Sequence, residues 1–281
     1  MENLRIAWTS VQKQKLIELG ADVALLEQTF ENPEVRNSAY QKAEYQLITL
    51  NKRNLQDLRN NRFRSLACQL ETLLVDRLNQ EGFVQVVTPI ILSKSMLNKM
   101  TITPEHPLTK QVFWLSENKC LRPMLAPNLY YLLRDLERLW EKPVRIFEVG
   151  PCFRKESQGI YHLNEFTMLN LVELGTPVGQ QKIRLRELAA IVMDIIGIEN
   201  YDLITSDSEV YGETLDVMVE ELELGSGAFG PHSLDEQWGI FDPWVGIGFG
   251  LERLAMVKEG HRNIRRVGRS LSYLDGSRLN I

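Results

Sequence analysis

The chain has 281 residues, 44% of them hydrophobic and 25% charged, with a formal net charge of −5. Those proportions belong to a globular protein with a packed core and exclude a disordered one. No apolar run reaches the ~18 residues that mark a membrane span, and the opening MENLRIAWTS lacks the basic flank and continuous apolar stretch of a secretory signal. Three cysteines, Cys68, Cys120 and Cys152, without CxxC spacing, and four histidines without zinc-ligand spacing, argue against a disulfide scaffold or a structural zinc. The expectation is a cytosolic protein.

Residues 1–60 are polar with apolar positions every three to five residues, among them Val11, Leu16, Leu19, Leu47, Leu50, Leu55 and Leu58. This predicts helices, broken at Asn32 and Pro33. Leu66, Leu70, Leu73, Leu74 and Leu78 then predict an amphipathic helix that Gly82 ends. It runs into 83-FVQVVTPIIL-92, a β-branched stretch interrupted by Pro89, which strands tolerate mainly at an edge or bulge. Residues 111–115 and 119–123 predict two short strands, and 127–140 a helix with Pro127 in its first turn. Residues 144–156 and 166–174 predict an antiparallel hairpin with a long polar loop, and 180–197 another helix. Short β-like runs follow at 201–205, 215–219 and 221–230, and the glycine-spaced run 244-WVGIGFGLERLAMV-257 predicts a strand entering a helix. Strands returning through hairpins imply an α+β fold, a mainly antiparallel sheet flanked by helices. The division expected is an N-terminal helical segment, 1–60, and a catalytic domain, 61–281.

Charge is unevenly spread. Residues 52–64 hold Lys52, Arg53, Arg59, Arg62 and Arg64 against Asp57, and residues 258–269 are likewise +4, so the remainder carries −13. Basic islands on an acidic body suit a polyanion such as RNA, although a solvated helix face has the same composition.

Arg154 and Glu156 stand two apart on a predicted strand, so both project from one face and can address one ligand. An arginine fork suits phosphate or carboxylate, and a glutamate accepts from an amine; a surface ion pair would look the same. Gly246, Gly248 and Gly250 alternate and clear one strand face, ahead of Glu252 and Arg253. Taken in order, the helix and Pro89 strand, 152-CFRKE-156 with 162-HLNEF-166, and 246-GIGFGLER-253 resemble the three signature motifs of class II aminoacyl-tRNA synthetases. The runs 121-LRPMLAPNLYYLLRDL-136, 165-EFTMLNL-171, 211-YGETLDVM-218 and 270-SLSYLDG-276 narrow the resemblance to the branch that acts on a bulky N-acylated lysine.

The resemblance implies an ATP-dependent ligase in which Arg154, Glu156 and Arg253 are catalytic. It places Arg154 on the α-phosphate and substrate carboxylate, Glu156 on the adenine amine, Phe166 and Arg253 on the two adenine faces, and His162 near the terminal phosphates. Glu223 and Ser226 would hold Mg²⁺. Ala126, Leu129, Tyr130 and Leu133, an i, i+3, i+4, i+7 stripe that by spacing alone reads as core, would line the substrate side chain with Val172, Ala228, Trp244 and Gly246. Asn170 would donate to its amide carbonyl, and Tyr211 would cover the pocket. The sequence departs from archaeal members at Val172, Gly225, Gly227 and Ala228, which implies a differently shaped pocket. The resemblance further implies a homodimer formed through the Leu66, Leu70, Leu74 helix and Pro89 strand, a cognate suppressor-type tRNA, and a separate tRNA-binding partner protein; the charge distribution puts the tRNA contact on the two basic islands, 52–64 and 258–269. The alternatives are a synthetase for another amino acid, such as phenylalanine, and a binding protein that has lost catalysis.

Overall fold

The computed structural model describes residues 5–155 and 159–281, which form two compact units, 5–66 with 265–281, and 67–155 with 159–264. The carboxyl-terminal segment, expected in the catalytic part, thus belongs with the N-terminal helices.

In the first unit, β1 (Ile6–Ala7) pairs antiparallel with β2 (Thr29–Phe30), and between them lie α1 (Ser10–Leu19) and α2 (Val23–Leu26). Thr9 and Gln12 cap α1 reciprocally, and Gly20 ends it at φ +93°. At the predicted break, Asn32 accepts from Val35 N at 2.9 Å and Pro33 opens α3 (Pro33–Asp57). The small β1–β2 ladder escaped the helical reading because two-residue strands leave no periodicity. Trp8, Leu16, Phe30 and Ala43 form the core. Buried Asn51 anchors the tail: it donates to Leu19 O and accepts from Arg278 N at 2.6 Å.

The second unit opens with α4 (Leu66–Gln80), which buries Leu70, Leu74 and Leu78. The stretch predicted as one strand over 83–92 is instead two, β3 (Val84–Gln85) and β4 (Ile91–Ser93), in different sheets. Pro89 lacks an N–H, and Thr88 is turned inward by Glu148, which takes its N–H and its hydroxyl at 3.2 and 2.5 Å. Beyond the short helix α5 (Lys94–Lys99), β4 joins β5 (Trp114–Ser116) and β6 (Lys119–Leu121) in a three-stranded sheet. Then come α6 (Ala126–Leu136), the long antiparallel pair β7 (Val144–Phe153) and β8 (Glu165–Leu174), and α7 (Gln181–Ile196). Next are β9 (Asp202–Ser208), β10 (Gly212–Val219), β11 (Leu222–Gly230), β12 (Trp244–Gly250) and α8 (Leu251–Lys258). The large sheet runs β3-β7-β8-β12-β11-β10-β9, parallel only between β3 and β7, which bears out the α+β expectation. Gly227 lets Leu185 of α7 pack close, since a Cβ there would lie 2.6 Å from its Cδ1. Helix α7 therefore covers one face of β11, and the alternate residues face the other way.

The chain ends in the small hairpin β13 (Tyr273–Leu274) and β14 (Ser277–Arg278) of the first unit. Among the described residues no helix is long and apolar enough to cross a membrane.

Candidate active site

Register assembles the site. Gly246 stands between Val172 of β8 and Ala228 of β11, and Gly248 between Asn170 and Ser226. All six share the sheet face that α7 leaves open. A Cβ on Gly248 would meet Asn170 Oδ1 at 2.8 Å, so that glycine is what gives the Asn170 amide its place. Above this face lies a cavity of about 440 Å³. It brings together every site residue expected from the sequence within the described part of that domain: Ala126, Leu129, Tyr130, Leu133, Arg154, His162, Phe166, Asn170, Val172, Tyr211, Glu223, Ser226, Ala228, Trp244, Gly246 and Arg253. Glu156 lies outside the described residues.

At one end the walls are charged. The strand predicted to reach residue 156 stops at Phe153, so Arg154 lies just beyond it. Its Nε donates to Pro123 O at 2.9 Å, and its guanidinium stands 5.4 Å from the Phe166 ring centroid. Arg253 donates to Glu223 O at 2.7 Å and lies 3.5 Å from the Glu223 carboxylate. Ser226 Oγ donates to Asp216 Oδ1 at 2.6 Å, which leaves the hydroxyl's lone pairs for a cation. Glu223 and Ser226 are hard oxygen donors and fit a magnesium ion whose other ligands come from phosphate and water. Among the described residues no group of three His, Cys, Asp or Glu could hold a metal by itself. Exposed His162 sits on the loop at this end.

The other end is apolar. Helix α6 presents Leu129, Tyr130 and Leu133, all buried, and Trp244 packs edge-on against Tyr130 with centroids 5.6 Å apart. Tyr211, between β9 and β10, meets Trp244 edge-on at 6.1 Å. Burial, with the neighbouring Tyr211 and Asp235 adding to it, holds the Tyr130 phenol well above the usual tyrosine range, so it stays protonated and donates.

Sequence reasoning missed three supporting carboxylates. Buried Glu252 takes the Thr167 N–H on both oxygens, at 2.9 and 2.8 Å, and so fixes the strand beside Phe166. Its position next to Arg253 was the only local signal. Asp216 and Asp235 had none, because their partners are set by strand pairing. Cys120 and Cys152 are buried, which pushes their thiols up to about 11 and about 12, so they serve as core rather than as nucleophiles.

The basic islands are less uniform than their composition. Lys52, Arg53, Arg59, Arg62 and Arg64 are all exposed. Arg62, however, bridges Asp57 at 2.8 Å and Asp275 at 2.5 Å, and so has a structural task. In the second island Arg266 is half-buried, donates to Glu18 O and Gly276 O and lies over Tyr273, while Lys258 donates to Ile196 O.

A family model for the tRNA synthetases class II core domain (F) matches residues 48–275. A crystal structure of pyrrolysyl-tRNA synthetase from Desulfitobacterium hafniense is 58% identical, with a TM-score of 0.94 over 98% of this chain and 99% of that one. A second structure of a pyrrolysyl-tRNA synthetase from that organism is 56% identical, with a TM-score of 0.92 over 100% and 98% of the two chains. The phenylalanine–tRNA ligase alpha subunit of Methanothermobacter thermautotrophicus is 30% identical over 149 residues, 48% of this chain and 27% of that protein. The match thus spans about a quarter of that curated relative.

Proposed function

The chain belongs to the class II tRNA synthetase core family, in the pyrrolysyl-tRNA synthetase branch, and from that premise we propose that it activates pyrrolysine, a bulky N-acylated lysine, and ligates it to tRNA(Pyl). The observation that carries the reading is one cavity with charged, phosphate-suited side chains at one end and an apolar chamber at the other, with the Asn170 amide between them.

The first step needs no general base, because a carboxylate is already a nucleophile. One carboxylate oxygen attacks the α-phosphorus of ATP, the bond to the bridging oxygen breaks, and pyrophosphate leaves with that electron pair. The chain contributes position and charge. Arg154 addresses the α-phosphate and the carboxylate, Phe166 and Arg253 hold adenine between them, and Glu156 takes its exocyclic amine. His162 stands by the terminal phosphates. Glu223 and Ser226 would hold a magnesium ion, which when bound would add neutralisation of phosphate charge. At the far end the acyl-lysine chain lies along Ala126, Leu129, Tyr130 and Leu133, its amide carbonyl accepting from Asn170, with Tyr211 over it and Val172, Ala228, Trp244 and Gly246 around it.

We also propose a homodimer, on a corrected surface. Leu70 and Leu74 are buried inside the protomer, whereas Leu73, Val84, Val87, Ile90 and Ile91 are exposed, Val87 by 89%. Sedimentation of only a 32.4 kDa species at micromolar concentration would refute it. For tRNA(Pyl), the exposed Lys52, Arg53, Arg59 and Arg64 support a phosphate contact, to which a separate RNA-binding protein would add.

The deciding experiment is pyrophosphate exchange with pyrrolysine, an Nε-acyl-lysine and phenylalanine. Exchange with the first two and little with the third is expected, since phenylalanine offers Asn170 no acceptor. Preference for phenylalanine would transfer the chain to the activity named for the curated relative, and no exchange with any substrate would leave a binding protein.

A further inference from the structure

Asp235 stands behind the apolar end of the chamber rather than in its wall. It lies in the short 3-10 helix Ser233–Trp238, is 1% exposed, and no cation is bonded to it among the described residues. Its oxygens are nonetheless occupied. Oδ1 accepts from the Tyr130 hydroxyl at 3.0 Å, and Oδ2 accepts from the Trp244 indole N–H at 2.8 Å and from His232 N at 2.6 Å. A buried carboxylate without a counter-ion is costly unless donors satisfy it, and two of these three donors are the polar tips of the aromatic rings that close the chamber.

The surroundings are built for the same contact. Gly230 has no side chain where a Cβ would collide with Trp244 Nε1 and Asp235 Oδ2. Trp238, from the same helical turn, stacks on Tyr130 with centroids 5.4 Å apart and an interplanar angle of 22°. His232, at its start, meets Tyr211 edge-on at 6.3 Å. This helical turn and its capping residue His232 therefore touch Tyr130, Trp244 and Tyr211, the three aromatic residues of the acyl end.

We propose that Asp235 is a positioning residue that sets the depth of the acyl end, by holding the Tyr130 hydroxyl and the Trp244 indole back from the space the acyl group fills. This rests on the reading of the cavity as an acyl-lysine site. A carboxylate accepts from both donors at once. An asparagine keeps an oxygen for the indole and turns its NH₂ to a hydroxyl that can accept it, whereas a leucine of similar size offers neither donor an acceptor, so both rings lose their anchor and relax into the chamber. Long acyl groups then clash, while short ones still fit.

The test uses the full chain and D235L. Indole N–H resonances are recorded by NMR, with W244F identifying that of Trp244, and exchange kinetics are measured with Nε-acetyl-, butanoyl-, tert-butoxycarbonyl- and benzyloxycarbonyl-lysine. The expected result is a shifted, faster-exchanging Trp244 signal and a KM that rises about tenfold for the two bulky substrates. KM for acetyl-lysine, KM for ATP and kcat stay within about twofold. If D235L does not fold, D235S, whose shorter side chain reaches neither ring, is read by the same size-dependent KM pattern. A folded variant with a parent-like KM series overturns the assignment, and so does one that loses all substrates and ATP equally. A parent chain that activates no acyl-lysine overturns the functional reading, and this assignment with it.

Discussion

At the phosphate end of the chamber Arg154 and Arg253 are half-buried and are each tied to a backbone carbonyl, Pro123 O and Glu223 O. At the acyl end Tyr130, Leu133 and Trp244 are buried and are held by other side chains. A carbonyl fixes a guanidinium through a hydrogen bond and brings no formal charge of its own, while the Glu223 carboxylate, 3.5 Å from Arg253, draws on that residue's charge. Packing fixes volume instead, and volume discriminates only weakly between substrates, at ~1–3 kcal/mol for a methylene. The two ends should therefore fail differently: the first in rate, the second in the choice of substrate.

The sharpest way to break that contrast is R154A. Removing a preorganised charge from the α-phosphate should slow pyrophosphate exchange by ~10² to 10³, or ~3–4 kcal/mol, and the loss should be the same for every amino acid tested. The melting temperature should barely move. Near-parental exchange in folded R154A would remove Arg154 from the phosphate role, and a substrate-dependent loss would merge the two ends into one.

Next in size is a stability effect that should spare the distinction. Strand β8 serves both ends, carrying Phe166 at one and Asn170 and Val172 at the other, and Glu173 on its opposite face anchors it. Glu173 is buried and is bonded to Arg145 at 2.6 Å and Arg184 at 2.9 Å. Burial raises its pKa, but the bonds from Arg184 and Arg145 outweigh this and hold the carboxyl below its ordinary value. The folded state thus prefers the ionised form, so this stabilisation is present above the ordinary carboxylate range and is lost as pH falls through the lowered folded value. E173Q should cost ~2 kcal/mol at neutral pH, and its difference from the parent should shrink in acid, where both side chains are neutral. Chemical denaturation across pH reads this directly. A constant difference would show that shape rather than charge holds β8.

These contrasts also mark what could be read from the sequence. Gly246 and Gly248 declared an open strand face because alternation is a local property, and the α6 stripe from Ala126 to Leu133 declared a buried one for the same reason. The helix motif and Arg253 followed directly along the chain. Hidden instead were features that require two distant segments to meet. Thr88 and Glu148 split the Pro89 strand, Glu252 fastens Thr167, and Asp235 gathers Tyr130 and Trp244 from 105 and 9 residues away. The stripe of Leu70 and Leu74 was visible, but whether it met its own protomer or another was not, since periodicity identifies an apolar face without naming its partner.

N170A sharpens the contrast from the acyl side. Its amide stands where the two ends meet, in space that Gly248 leaves open. Losing it should leave a substrate carbonyl unsatisfied at ~1–3 kcal/mol, and only for substrates that have one. The measurement is the ratio of kcat/KM for an Nε-acyl-lysine to that for an apolar analogue of similar size, parent against variant. An equal loss for both would make Asn170 a packing residue and leave discrimination to volume alone.

The smallest effect is expected where cations meet phosphate outside the chamber, on the exposed helical segment of Lys52, Arg53 and Arg59. Each phosphate contact adds ~0.7–0.9 to the slope of log affinity against log salt, so R59A should flatten the slope for tRNA(Pyl) by about one such step while amino-acid activation stays unchanged. Arg62 is the internal control. It bridges Asp275, a residue that also takes the Leu66 N–H at 2.8 Å, so R62A should lower the melting temperature as well as tRNA affinity, whereas R59A should leave melting alone. The separation matters because a cation that is already neutralised by a nearby carboxylate has less charge to offer a polyanion than one facing water. If R59A keeps the parental affinity and salt slope, the island is a solvated helix face and the tRNA contact lies elsewhere. If R59A and R62A flatten the slope equally, the Asp275 bridge opens on binding, and the distinction between structural and phosphate-facing arginines in this segment disappears.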